Sequence, residues 1–122
     1  MKQILLIAFG GAFGSVLRFL MGEWNLLKSQ NGFPYATLLT NLTGCLLIGL
    51  AMGLMSRYEM FTNNFRLFFI VGFCGGFTTF STFSRETMVL LSNNLYFQAI
   101  IYVLASVILG VLFTFLGYFV LK

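Results

Sequence analysis

Charge is what this chain has least of. Only 8% of its 122 residues are charged, aspartate and histidine are missing, and the carboxylates are three glutamates, Glu23, Glu59 and Glu86. Soluble domains carry about 25% charged residues, so a sequence this poor in charge and 59% hydrophobic belongs in a bilayer. Without acids and imidazoles the usual general acid–base pairs, zinc ligands and proton relays cannot be assembled, and no enzyme is expected. Seven lysines and arginines give a net charge of +4. They stand singly, without the basic cluster of a nucleic-acid binder. There is one proline, Pro34, and no Pro/Gly/Ser-rich linker divides the sequence, so a single domain, 1–122, is expected. The two cysteines, Cys45 and Cys74, lie inside apolar runs, where a thiol serves as a small hydrophobe.

Long hydrophobic runs dominate instead. Four stretches, Ile4 to Met21, Ala36 to Met55, Leu67 to Leu91 and Leu95 to Leu121, are close to or above the ~20 residues needed to cross the hydrocarbon. An all-α membrane protein with four transmembrane helices follows. The first run is too long for a signal h-region and shows no small-x-small cleavage pattern, so it is expected to stay as a span. The connection from Gly22 to Tyr35 holds Trp24, Phe33 and Tyr35, which suits interfacial anchoring. Four crossings put Lys2, Arg57, Arg66 and Lys122 on one side, with Arg18, Lys28 and Arg85 at or near the other. That balance gives the positive-inside rule almost nothing to act on. Insertion in both directions is therefore open, and oppositely inserted copies could pair about a two-fold axis in the membrane plane.

The third stretch departs from the rest. Gly75-Gly76-Phe77-Thr78-Thr79-Phe80-Ser81-Thr82-Phe83-Ser84 sets hydroxyls and aromatics where a bilayer helix normally carries leucine, and each uncompensated polar group there costs several kcal/mol. The glycine pair and the Ser/Thr run after it weaken a helix at mid-depth. Irregular backbone survives in a membrane only when buried in protein or lining a wet cavity, so a break here points to an ion or substrate site.

Other polar residues fall at helical spacing. Thr37, Thr40, Asn41 and Gly44 share a face of the second helix, and Tyr102, Ser106, Gly110 and Thr114 follow i+4 steps along the fourth. The pairs Gly10/Gly14, Gly49/Gly53 and Gly72/Gly76 have GxxxG spacing and read as helix-packing surfaces. Together the polar stripes can line a narrow path, with hydroxyl and amide donors and no mid-depth carboxylate to hold a cation. Phe80 and Phe83 can add electropositive ring edges. Such a lining fits a small anion, and a dimer encloses it more readily than one four-helix subunit.

Gly75-Gly76-Phe77-Thr78-Thr79-Phe80-Ser81-Thr82-Phe83, with Asn41-Leu42-Thr43-Gly44 and Gly10-Gly11-Ala12-Phe13-Gly14-Ser15-Val16-Leu17-Arg18, closely resembles the small bacterial fluoride channels called Fluc or CrcB. The resemblance covers the whole four-helix layout. It implies an antiparallel, dual-topology homodimer with two pores that exports fluoride passively across the bacterial inner membrane. It also implies pore roles for Phe80, Phe83, Asn41, Ser81, Thr82, Tyr102 and Ser106, vestibule positions for Arg18 and Glu86, and a structural sodium ion held by backbone carbonyls at Gly75 and Thr78. Ala36 stands where many members have glycine, and Phe19 where tyrosine is frequent. Neither departure removes a pore group.

The main rival is a small multidrug/proton antiporter, also four helices and sometimes dual in topology. That mechanism wants a membrane-embedded carboxylate; the first helix has none, and Glu86, the sole candidate, is expected near a helix end. A non-conducting assembly protein is the third reading.

Overall fold

The computed structural model describes residues 1–24, 31–59 and 62–122, leaving Lys28 outside the described residues. Among the described residues there are four helical spans long and apolar enough to cross a membrane, Lys2–Glu23, Tyr35–Arg57, Asn63–Ser92 and Tyr96–Leu121. Helix α1 is Lys2–Glu23, α2 is Tyr35–Arg57, and the third span divides into α3, residues 63–77, and α4, Phe80–Ser92, before α5, Tyr96–Leu121. Asn94 makes the turn into α5 with φ at 60°, a left-handed position that asparagine tolerates. The amides of Asn93, Asn94 and Leu95 close back on the carbonyls of Val89, Leu91 and Leu90, so the exposed end of α4 is satisfied by its own turn.

Two helix pairs form the bundle. The most extensive contact is α2 on α5, followed by α1 on α3. Each pair runs parallel, because Gly10 meets Phe68 and Gly14 meets Phe73, while Gly49 meets Thr114 and Gly53 meets Tyr118. With no hydrophobic drive between helices in lipid, close backbone approach is what holds them, and glycine permits it. A Cβ at Gly72 would lie 2.8 Å from the Ile7 carbonyl oxygen, and one at Gly76 only 2.6 Å from that of Gly11. All three GxxxG pairs thus serve packing. Gly10→Ala, whose Cβ would overlap the Phe68 carbonyl, is expected to destabilise the fold by about 1–3 kcal/mol. Thermal denaturation in detergent checks this against Gly22→Ala, where nothing lies within 4 Å and no loss is expected.

The first part of the third span holds a feature the sequence did not announce. Residues Arg66–Cys74 are wound as a π-helix. Phe65, Phe69, Phe73 and Phe77, four apart along this span, form an offset stack of nearly parallel rings with centroids 5.5, 5.4 and 5.8 Å apart.

The break falls inside the expected segment, in the hydroxyl run that follows the glycine pair. Gly75–Phe77 is helical, and the chain leaves the helix at Thr78 (φ −85°, ψ 158°) and Thr79 (φ −153°, ψ 128°). Gly75 and Gly76 do not break the helix. Gly76 instead lets α3 approach α1, while the hydroxyls that follow provide substitutes for the lost ladder. Thr78 donates both its N–H and its hydroxyl to the Cys74 carbonyl, at 2.9 and 2.8 Å. Thr79 caps α4, its Oγ1 accepting the Thr82 amide at 3.2 Å.

Candidate functional site

The break is held from α2. Asn41 Nδ2 donates to the Thr79 carbonyl at 3.0 Å, and its Oδ1 accepts the Thr79 N–H at 2.8 Å, so one amide side chain replaces both backbone partners that an extended residue in a membrane lacks. Gly44, one turn further along α2, lies against Thr78; a Cβ there would overlap the Thr78 methyl. The polar face of α2 is therefore spent on the break and on α4.

Two cavities of about 400 Å³ share Thr79 in their walls. The first is lined by Ser15, Arg18, Glu23, Thr37, Thr40, Thr82 and Glu86 among others. It is the charged one. Arg18 Nε donates to the Gly76 carbonyl at 3.1 Å, which fixes the guanidinium at the end of α3. Glu86 accepts the Thr37 hydroxyl on one oxygen at 2.7 Å and the Tyr102 hydroxyl on the other at 3.2 Å. Its place differs from expectation. Glu86 sits in the middle of α4 and faces α2 and α5, rather than lying near a helix end.

The second cavity is uncharged. Asn41, Cys45, Gly75, Thr78, Phe80, Phe83 and Ser106 contribute to it, bringing together residues from α2, the break, α4 and α5. The Phe80 and Phe83 centroids are 5.6 Å apart, and Phe83 lies 5.0 Å from Tyr102, which is fully buried. Ser106 Oγ is buried and meets no hydrogen-bond partner among the described residues. A buried hydroxyl without a partner calls for an explanation. Ser106 shares its cavity with Phe80 and Phe83.

Phe80, Phe83, Asn41 and Ser106 thus share one cavity, while Thr82, Arg18 and Glu86 share the other. Tyr102 joins the two groups, bonded to Glu86 and packed on Phe83. Ser81 stands apart, exposed, with its hydroxyl 3.3 Å from that of Thr79. The lower end of the α5 stripe is engaged in packing, since Thr114 donates to the Cys45 and Gly110 carbonyls. Thr37 and Thr79, read in the sequence only as members of a polar stripe and of the hydroxyl-rich motif, take individual roles here as partners of Glu86 and Asn41. Thr79 lies inside the hydroxyl-rich motif, but nothing in its own neighbourhood marks it as the partner of Asn41.

The break also exposes carbonyls. Thr79 N–H and Thr82 N–H, which a continuous helix would aim at Gly75 and Thr78, bond to Asn41 and to the Thr79 hydroxyl instead. The Gly75 and Thr78 carbonyls are thereby released from the ladder, and oxygen donors of this kind suit a hard cation.

Comparison with known proteins agrees in extent. A bacterial protein from Phocaeicola vulgatus, 45% identical over 117 residues covering 96% of both chains, is named fluoride-specific ion channel FluC. Relatives of the same name from Flavobacterium psychrophilum, 44% identical over all of this chain and 98% of theirs, and from Thermus thermophilus, 44% identical over 96% of this chain and 91% of theirs, align as completely. With residues 5–118 also matching the family described as CrcB-like protein, Camphor Resistance (CrcB), the four spans and the broken third one are those of a multi-pass membrane protein that belongs to the CrcB family.

Proposed function

We propose that this chain is a fluoride-selective channel that releases fluoride passively from the cytoplasm across the bacterial inner membrane. The observation that carries the reading is the uncharged cavity, which Ser106, whose buried hydroxyl has no partner among the described residues, lines together with Asn41, Phe80 and Phe83. A small anion that holds its water tightly needs replacement donors close by. Hydroxyls and ring edges supply them without a fixed cation that would trap it. The amino-terminal end of α4 lies at the break, and its dipole favours negative charge. Fluoride is the base of a weak acid whose neutral form enters cells, and an inside-negative potential drives the anion out by ~2.3 kcal/mol per 100 mV. No fuel is needed.

The working unit in this reading is an antiparallel homodimer with two pores. Phe80 is 79% exposed on the single chain, and Ser81 and Ser84 are exposed beside it; a second copy would cover them. Carbonyls of Gly75 and Thr78 from both copies would hold a structural sodium ion, whose charge would pin the two breaks together. Glu86 does not suit the antiporter alternative. Each of its oxygens already accepts a hydroxyl from a neighbouring helix, so the carboxylate is tied into the packing of α2 and α5 rather than left open to exchange a proton for a substrate.

Fluoride efflux from proteoliposomes, with chloride as the control, tests the function: electrogenic fluoride flux without chloride flux is expected. Equal chloride flux, or a requirement for a proton gradient, would sink the channel reading. Phe80→Ile and Phe83→Ile keep bulk and lose the ring edge, so each is expected to lower fluoride flux by up to about tenfold while assembly survives. Normal conduction by both would reduce the rings to packing.

A further inference from the structure

We infer that Phe33, in the connection between α1 and α2, is a positioning residue for the ion path, acting through Tyr102. Phe33 is 8% exposed although it lies outside any helix. The loop is shaped to drive it inward. Asn31 Oδ1 accepts the Phe33 N–H at 3.1 Å, Gly32 takes φ at +85°, and the Phe33 carbonyl accepts the Tyr35 N–H at 2.9 Å. Only a residue without Cβ adopts that φ freely, so the knuckle is built into the sequence. It places Phe33 in a buried cluster with Leu90, Ala99 and Tyr102, flanked by Leu38, Phe83 and Leu95.

An anchoring phenylalanine would be content against Leu90 and Ala99 alone. Phe33 instead meets the Tyr102 ring in a T-shaped contact, centroids 5.6 Å apart and planes at 79°. Tyr102 touches the chemistry of both cavities, holding Glu86 through its hydroxyl and Phe83 through its ring. Its ring has only two rotatable bonds, and three contacts fix them: Glu86 at the tip, Phe83 5.0 Å away, and Phe33 from the loop. Phe33, Tyr102, Phe83 and Phe80 thus form a continuous chain of ring contacts from the loop to the break. Without Phe33 the Tyr102 ring gains room to tilt, and a site whose supporting side chains are loose loses geometry before it loses fold.

The inference rests on the reading that Tyr102 and Phe83 line the path, and a double-mutant cycle on fluoride efflux separates the two. Phe33→Leu is expected to lower flux about three- to tenfold, with elution and melting temperature close to those of the unaltered protein. In a Tyr102→Leu background, Phe33→Leu should add no further loss, because the residue it positions is gone. Losses that simply add, or unaltered flux in Phe33→Leu, overturn the inference while leaving the path intact. Normal flux in Tyr102→Leu alone would instead overturn the path reading itself. Should Phe33→Leu fail to assemble, Phe33→Met, longer and more adaptable, carries the same expectations.

Discussion

Asn41→Asp is expected to abolish most fluoride flux while the protein still assembles. Asparagine and aspartate have the same shape, and the carboxylate can still accept the Thr79 N–H that Asn41 Oδ1 accepts at 2.8 Å. Two things change. The donor to the Thr79 carbonyl, now at 3.0 Å, becomes an oxygen facing an oxygen. A negative charge also enters the wall of the cavity that Asn41 lines with Phe80 and Ser106. At ~4 Å and an effective dielectric of about 20, a unit charge opposes a passing anion by about 4 kcal/mol. Several hundredfold in flux follows, since each ~1.4 kcal/mol is a factor of ten. Asn41→Leu removes the pair without adding charge and is expected to fall between the two. Efflux measured on all three proteins decides the matter; unaltered flux in Asn41→Asp would take Asn41 out of the path.

Biasing the direction of insertion should be as damaging. Lys2, Arg57, Arg66 and Lys122 stand at helix ends that the parallel pairing of α1 with α3 and of α2 with α5 brings to one face. Arg18 and Arg85 lie toward the other. With Lys28, which the sequence assigns to that side, three cations oppose four, so the difference between faces is small. Two or three lysines added between Arg57 and Phe65 are expected to send all copies one way, and the same number added between Gly22 and Tyr35 the other way. Each variant alone should then lose activity, because an antiparallel dimer needs both orientations, and co-expression should restore it. Reporter fusions at the carboxyl terminus read the orientation, and fluoride resistance of the host reads the function. Full activity from one uniformly oriented variant would rule out the antiparallel dimer.

The number of spans and the helix-packing role of the glycine pairs were legible from composition and spacing, because hydrocarbon admits so few solutions: a run of ~20 apolar residues has to be a helix, and glycines four apart on such a helix make a surface for another backbone. The polar stripe of α2 was legible for the same reason, since Thr37, Thr40, Asn41 and Gly44 repeat with the helix.

What the stripe holds was not legible. Local propensity marked Gly75-Gly76 and the Ser/Thr run after it as the weak stretch, but not where in it the helix parts: it continues through both glycines and opens at Thr78 and Thr79. The position of a break in a membrane is set by where the freed backbone groups find partners, and the partner here is Asn41, 38 residues earlier in the chain. Glu86 likewise looked like a charge at a helix end, but Thr37 and Tyr102, 49 and 16 residues away, hold its two oxygens. Phe33 read as an interfacial anchor, and only the packing of α4 and α5 against the loop set its ring on Tyr102. Spacing along one helix is a property of the sequence. Which polar group satisfies which across helices depends on how closely the glycine faces let the backbones approach, and that belongs to the tertiary structure.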